Sequence, residues 1–235
     1  MKPQEKNMSP PKEIGFSNIT HVISDWDGTL ADSMPAYTAA FVKIMSERYG
    51  LDPKKVTSLF HEVAGNPLGF QFKNVLQRLS HLEIENIEEL EEEFWGNLAG
   101  LRPRILPGAK EFLESLKKKG LSVTVWSGTR TDLLRDNIRN LSLTSSIDFA
   151  IGNVPGSTEL VKGPYLFQRI AEHFRLSAEA LAQRALVIGD GLGDIEAGKA
   201  VGAKTAGFGD LKANPGLKDA DFVFSDYDSL VKMLG

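Results

Sequence analysis

The stretch Ile19-Thr20-His21-Val22-Ile23-Ser24-Asp25-Trp26-Asp27-Gly28-Thr29-Leu30-Ala31-Asp32-Ser33 decides the fold. Ile19 to Ile23 is an apolar run that reads as a buried strand, Gly28 breaks it, and Pro35 suits the first turn of a following helix. Asp25 and Asp27 therefore stand at the carboxyl end of a strand, where open α/β sheets gather ligands and catalytic groups. Two carboxylates crowded at an apolar strand end repel each other, so a bound cation or a shared proton is expected. One acid can then act as an ionised nucleophile while the other, held protonated, acts as a proton donor. The plainer alternative is an Asp-rich turn that caps the next helix. A calcium loop would need Gly at position 30 and Glu at position 36; Leu30 and Ala36 exclude it.

Two further stretches repeat the theme of an apolar strand ending in polar turn chemistry, and between them in sequence stands a lysine. Val123-Thr124-Val125-Trp126-Ser127-Gly128 ends in a hydroxyl and then a glycine that permits close backbone approach to an anion. A serine there is otherwise an ordinary turn residue. Lys162 precedes a helix expected to open at Pro164, and taken alone it is a solvated surface lysine. Leu186-Val187-Ile188-Gly189-Asp190-Gly191-Leu192-Gly193-Asp194 lacks the third glycine of a dinucleotide fingerprint and any Walker lysine. Its acids remain as metal ligands, or Asp194 as the cap of a helix starting at Ile195.

These four stretches, in this order, resemble the motifs of the haloacid dehalogenase-like superfamily. Asp25 to Thr29 is similar to its DxDGT motif, and the wider DWDGTLADS to the phosphoglycolate phosphatase and beta-phosphoglucomutase type of branch. Ser127 with Gly128 resembles the second motif, Lys162 the third with Gly163 in place of the usual proline, and Asp190 to Asp194 the fourth, GDxxxD. The resemblance implies Mg²⁺ held by Asp25, the backbone carbonyl of Asp27, Asp190 and a phosphate oxygen, with Asp194 as a further or water-bridged ligand. It further implies that Asp25 attacks phosphorus, Asp27 serves as acid and then base, and Ser127, Gly128 and Lys162 bind the transferring phosphoryl group. Dehalogenases and phosphonatases of the superfamily lack an acid at the position of Asp27, so its presence favours phosphate esters. The expected activity is hydrolysis of a small phosphate monoester through an aspartyl-phosphate. A sugar phosphomutase is the runner-up, and a catalytically silent binding module the alternative from another class.

Composition agrees with such a protein. With 235 residues, 42% of them hydrophobic and 25% charged, the chain can bury one large or two modest cores. A net charge of -4 with both signs interspersed gives no reason to expect nucleic acid or an anionic membrane as partner. The absence of cysteine removes disulfides, thiol nucleophiles and thiolate metal sites. The leader MKPQEKNMSPPKEIGFSN has no apolar signal core, and no segment approaches the ~18 apolar residues of a membrane span, so a cytoplasmic monomer or homodimer is expected.

Periodicity then divides the chain. Residues 1–15 read as a flexible tail. From Pro35 to Leu101 the pattern is helical, with segments Pro35 to Tyr49, Pro53 to Val63, Leu68 to Leu82 and Ile87 to Leu98. After Arg102-Pro103-Arg104 the chain alternates strands (Leu121 to Trp126, Phe149 to Gly152, Ala185 to Ile188, Lys204 to Phe208, Phe222 to Phe224) with helices (Ala109 to Lys119, Leu133 to Asn140, Pro164 to Phe174, Asp194 to Ala200). This pattern implies a doubly wound parallel sheet, Rossmann-like, formed by residues 16–33 and 104–235 and interrupted by a four-helix cap over 34–103. The joints should fall at Ser33 to Met34 and Leu101 to Ile105, and Gly65 and Asn66 should carry substrate specificity. His61, Lys73 and Arg78 are further candidates to face the leaving group.

Overall fold

The computed structural model describes residues 16–80, 82–100, 102–153, 162–212 and 214–234. The tail expected over residues 1–15, and Leu101 at one expected joint, lie outside them. The first strand, β1 (His21–Ser24), leads through the acidic loop to a two-residue strand β2 (Ala31–Asp32). Four helices follow: α1 (Met34–Tyr49), α2 (Pro53–Glu62), α3 (Leu68–Ser80) and α4 (Ile87–Asn97). The chain returns through β3 (Arg104–Ile105) and α5 (Ala109–Lys118), then β4 (Ser122–Arg130), α6 (Thr131–Asn140) and β5 (Phe149–Asn153). The last third comprises α7 (Pro164–His173), α8 (Ala178–Ala182), β6 (Ala185–Gly189), α9 (Leu192–Ala200), β7 (Lys204–Phe208), β8 (Phe222–Phe224) and α10 (Tyr227–Met233).

Six strands form one sheet in the order β5-β4-β1-β6-β7-β8, parallel throughout. The chain winds outward from β1 in one direction through β4 and β5 and in the other through β6, β7 and β8. The direction of winding reverses between β1 and β6, and there the carboxyl ends of neighbouring strands diverge to leave a crevice. Both faces of the sheet are covered, which explains why its strands are apolar without alternation. Val22, Val123, Val125, Leu186 and Ile188 pack with Phe112, Leu116, Leu134 and Leu230 on one face. Ile23, Trp126 and Val187 pack with Phe167, Ile170 and Leu181 on the other.

Helices α1 to α4 bury a third cluster that shares no residue with these two, built on Phe41, Ile44, Met45, Val56, Phe60, Phe72, Val75, Leu76 and Phe94. Phe41 and Phe72 stack at its centre, 4.5 Å between centroids. Pro35 and Pro53 each stand in the first turn of their helix, where a missing N–H costs nothing, and Asp52 caps α2 by accepting from Lys55 N at 2.9 Å. The two chain crossings into this helical unit pair with each other as an antiparallel ribbon, Ala31 against Ile105 and Asp32 against Arg104. Two-residue strands carry no period, so the ribbon leaves no sequence signature.

Other departures from the expected elements have local causes. Strand β4 continues past Gly128 to Arg130 because Thr129 N donates to Ser127 Oγ at 2.9 Å, and Gly152 on β5 makes room; a Cβ there would lie 2.1 Å from the Thr129 carbonyl oxygen. Helix α9 opens at Leu192, two residues before Asp194, so that acid sits inside the first turn and accepts from Gly191 N at 3.2 Å. The short helices α8 and α10 were not expected. Among the described residues, no helix is long and apolar enough to cross a membrane.

Because the helical unit has its own core, a cavity made there should be felt locally. Phe72→Ala is expected to remove about 3–5 kcal/mol from that unit. Hydrogen exchange should speed up in α1 to α4 while the amides of β1, β4 and β6 keep their protection. Equal acceleration in both regions would show instead that the two unfold together.

Candidate active site

Asp25 continues the β1 ladder, its N–H donating to the Ile188 carbonyl at 2.8 Å, so its position is fixed by backbone pairing with β6. Trp26 turns away into the main core and is fully buried. The chain then folds tightly, with Leu30 N and Ala31 N both donating to the Trp26 carbonyl. Gly28 carries a φ of +82°, and a Cβ there would lie 2.3 Å from Asp190 Oδ2. Glycine is thus required twice over, for the turn and for the approach of the acid that follows β6. Gly189 does the same for Asp194, whose Cγ would lie 2.1 Å from a Cβ at that position.

Asp25, Asp190 and Asp194 each offer a carboxylate oxygen, and the three lie within 4.8 Å of one another. Thr29 Oγ1 donates to Asp190 Oδ1 at 3.2 Å, and Asn214 Nδ2 donates to the Asp190 carbonyl at 2.6 Å. Lys162 reaches into the cluster from the turn before α7, with Nζ 2.6 Å from Asp25 Oδ1 and 2.7 Å from Asp194 Oδ1. All three side chains of this ion-pair network are buried. Burial pushes Asp25 well above the usual carboxylate range; the Lys162 ammonium pulls it back, while the charges of Asp194, Asp190 and Asp27 push it further up. Asp190 is pushed up to about 7, by burial first and by Asp194 second. Lys162 is pushed down by burial, but Asp194 and Asp25 outweigh that and hold it above its ordinary value.

Asp27 is served differently. Ser33 Oγ donates to its Oδ1 at 2.6 Å, while Ser127 Oγ at 2.9 Å and Thr129 Oγ1 at 2.8 Å donate to Oδ2. Its carboxylate therefore stands apart from the three-acid group, held by hydroxyls. The Ser127 hydroxyl hydrogen, expected on a phosphoryl oxygen, is engaged with Asp27. Tyr37 on α1 places its hydroxyl 3.4 Å from Thr129 Oγ1; burial and then the charge of Asp27 keep that phenol well above its usual range. Tyr37 went unread in the sequence, and Ser33 and Thr129 were not assigned to the site. Thr129 had a usable signal, since it lies two residues after Ser127 on a strand and so shares its face.

A cavity of about 600 Å³ joins these groups to the helical unit. Asp25, Asp27, Gly128, Thr129, Lys162, Asp190 and Asp194 line its floor. Met34, Tyr37, Phe60, Leu68, Phe94 and Trp95 line the wall opposite, with His61, Gly65, Asn66 and Gln71. The carbonyls of Gly65 and Asn66 each lie 3.4 Å from where a Cβ on Gly128 would be, so this loop rests on the end of β4. Lys73 and Arg78 do not reach the cavity: both are exposed, and Arg78 pairs with Glu62 at 2.7 Å. Helical periodicity points both outward, which their charge agrees with.

An all-oxygen donor set of three carboxylates facing a single ammonium leaves anionic charge uncompensated, and such a set suits a hard divalent cation.

A family model described as haloacid dehalogenase-like hydrolase matches residues 19–202. A phosphoglycolate phosphatase of Aquifex aeolicus is 29% identical over 218 residues, covering 91% of this chain and 95% of that protein. Among solved structures, a hydrolase from Pseudomonas syringae superposes with a TM-score of 0.73 at 26% identity, covering 92% of this chain and 97% of the other. A structure described as a beta-phosphoglucomutase from Bacteroides vulgatus gives 0.70 at 23% identity, over 92% and 87% of the two chains, a likeness of fold.

Two substitutions test how the site is held. Gly28→Ala should strain the left-handed turn by about 1–2 kcal/mol and drive Asp190 out of the cluster; isothermal titration should show divalent-cation binding lost while circular dichroism stays native. Lys162→Met leaves Asp25 and Asp194 buried without their cation and should cost about 3–5 kcal/mol at pH 8. An acid whose folded-state pKa is raised weakens the fold as pH rises through the interval between its unfolded and folded values. Denaturant unfolding of Lys162→Met should therefore show a smaller deficit at pH 5 than at pH 8.

Proposed function

The chain belongs to the haloacid dehalogenase-like hydrolases, and from that premise we propose that it is a Mg²⁺-dependent phosphatase acting on a small phosphate monoester through an aspartyl-phosphate. The observation that carries this reading is the pairing, across one cavity, of a buried nucleophile-and-cation cluster with a second carboxyl held by hydroxyls. The phosphoglycolate phosphatase names of relatives such as the Aquifex protein support the same reaction class.

Each group then has a task set by its surroundings. Asp25, fixed by the β1 ladder and ion-paired to Lys162, presents a carboxylate oxygen to phosphorus. Asp25, Asp190 and Asp194 would hold Mg²⁺, which supplies the positive charge that offsets repulsion between a carboxylate and a phosphate dianion. Asp27, two residues on, donates a proton to the departing alcohol oxygen as the P–O bond breaks, and the phosphoryl group passes to Asp25. Once ionised, Asp27 takes a proton from water, which attacks the aspartyl-phosphate and releases phosphate. Ser33, Ser127 and Thr129 keep Asp27 aimed during both proton transfers. Lys162 balances negative charge beside the transferring group, and Gly128 lets the backbone approach it closely. The unit of α1 to α4, over residues 34–103, acts as a cap that covers the site and excludes water. No nucleic acid or membrane enters this chemistry.

Turnover of 4-nitrophenyl phosphate should vanish with a chelator and return with Mg²⁺. Calcium should inhibit, because its looser coordination lets Asp25 bind through both oxygens. Asp25→Asn should abolish turnover and labelling by beryllium fluoride. Asp27→Asn should lower kcat by about 10²- to 10⁴-fold while a phosphorylated protein accumulates, as mass spectrometry would show. Full turnover in metal-free protein would overturn the metal's role. With a sugar 1-phosphate and a trace of bisphosphate, isomerised sugar phosphate instead of free phosphate would mark a phosphomutase.

A further inference from the structure

The acidic loop after β1 closes most of its hydrogen bonds with nearby backbone. Leu30 N and Ala31 N donate to the Trp26 carbonyl, Gly28 N to the Ala31 carbonyl at 2.9 Å, and Leu106 N to the Leu30 carbonyl at 2.8 Å. The Thr29 carbonyl is served from elsewhere. Tyr227, the first residue of α10 and 198 positions away, donates its hydroxyl to it. Thr29 is fully buried, so bulk water cannot replace that donor.

The phenol is itself held in place. Its ring stacks with Phe112 of α5 at 5.0 Å and with Phe208 of β7 at 4.9 Å between centroids, and Phe224 of β8 meets it edge-on at 6.0 Å. A Cβ on Gly108 would crowd the ring at 3.3 Å. Three aromatic side chains from three elements therefore fix where the hydroxyl points. Burial first and the charge of Asp190 second raise the phenol above its ordinary range, so it stays protonated and able to donate.

What hangs from Thr29 is the Asp190 carboxylate. Thr29 Oγ1 donates to Asp190 Oδ1 at 3.2 Å, and Asp190 Oδ2 occupies the space that a Cβ on Gly28 would need. Both oxygens of this acid thus take their places from two consecutive residues of the loop, and a shift of that backbone moves the acid with it. Metal-binding carboxylates depend in this way on the groups that orient them. Resting on the Mg²⁺ site of the reading above, we propose that Tyr227 is a positioning residue for that site: its hydroxyl pins the Thr29 backbone, and through Thr29 it sets how firmly Asp190 is presented to the cation. Tyr227 stands outside the lining of the cavity and touches neither substrate nor cation. The C-terminal helix thereby contributes to cation affinity and not to the chemical step.

The test titrates MgCl2 into the metal-free full chain by calorimetry and follows 4-nitrophenyl phosphate turnover against Mg²⁺ concentration. Tyr227→Phe keeps the ring among its three neighbours and deletes the donor. With circular dichroism native, it should raise the Mg²⁺ Kd about tenfold, and the half-saturating Mg²⁺ concentration with it. At saturating Mg²⁺ its kcat should stay within about twofold of the parent, a split that a general loosening of the fold would not produce. Thr29→Val, which keeps the shape and removes Oγ1, should also weaken binding about tenfold. Adding Tyr227→Phe to it should cost less than about a further threefold, because the two residues act along one path. An unchanged Kd in Tyr227→Phe, or a full tenfold loss added by it to Thr29→Val, would overturn the positioning role and leave the phosphatase reading intact. A parent protein that binds no Mg²⁺ in either measurement would overturn the metal reading and this inference together.

Discussion

The buried ammonium of Lys162, within 2.7 Å of carboxylates from the end of β1 and the first turn of α9, is the interaction on which the rest of the site depends. Asp25 is placed by β1 and Asp194 by the first turn of α9, and without a cation between them their charges would drive them apart or force protons onto them. Burial makes the attraction strong and its loss severe, because an unpaired charge in that position has no water to turn to. The ion pairs neutralise only part of the cluster. What remains is a site with surplus negative charge and rigid oxygen ligands, which is what a dication requires of a protein.

Backbone geometry makes the cluster possible at all. Neighbouring parallel strands bring Asp25 and Asp190 side by side at the reversal of winding, but Asp190 and Asp194 can enter the cluster only because Gly28 and Gly189, respectively, carry no Cβ. Two acids two residues apart in sequence thereby acquire different surroundings. Asp25 faces charge: an ammonium on one side and two carboxylates on the other. Asp27 faces three hydroxyls, which orient it without adding charge. The fold supplies that difference over a distance of two residues.

The helical unit completes the site from the other side. Its independent core lets it keep its shape while the Gly65–Asn66 loop rests against Gly128, and the β2–β3 ribbon ties its two ends together. Floor and wall have opposite characters: the floor is charged, whereas the wall is largely apolar and aromatic.

The strands of the sheet, most of the helices that cover it and the three strand-end motifs were legible in the sequence, because apolar runs bounded by glycine and proline have periods that local sterics enforce. Asp25, Asp27 and Asp190 stand where such a run stops, whereas Lys162 and Asp194 were singled out by their likeness to the family's motifs. Ser33 and Tyr37 were not, since a serine at a helix entrance and a tyrosine on an amphipathic helix look like caps and core until the helical unit is folded against β4. The β2–β3 ribbon was invisible because two residues carry no pattern. Lys73 and Arg78 seemed candidates on charge alone, and helical rotation turned them to solvent. The hydrogen bond from Tyr227 to the Thr29 carbonyl could not have been read from any window of sequence. Whether a buried carbonyl is satisfied depends on which groups the tertiary fold brings within about 3 Å of it, and those come from positions the local chain does not specify.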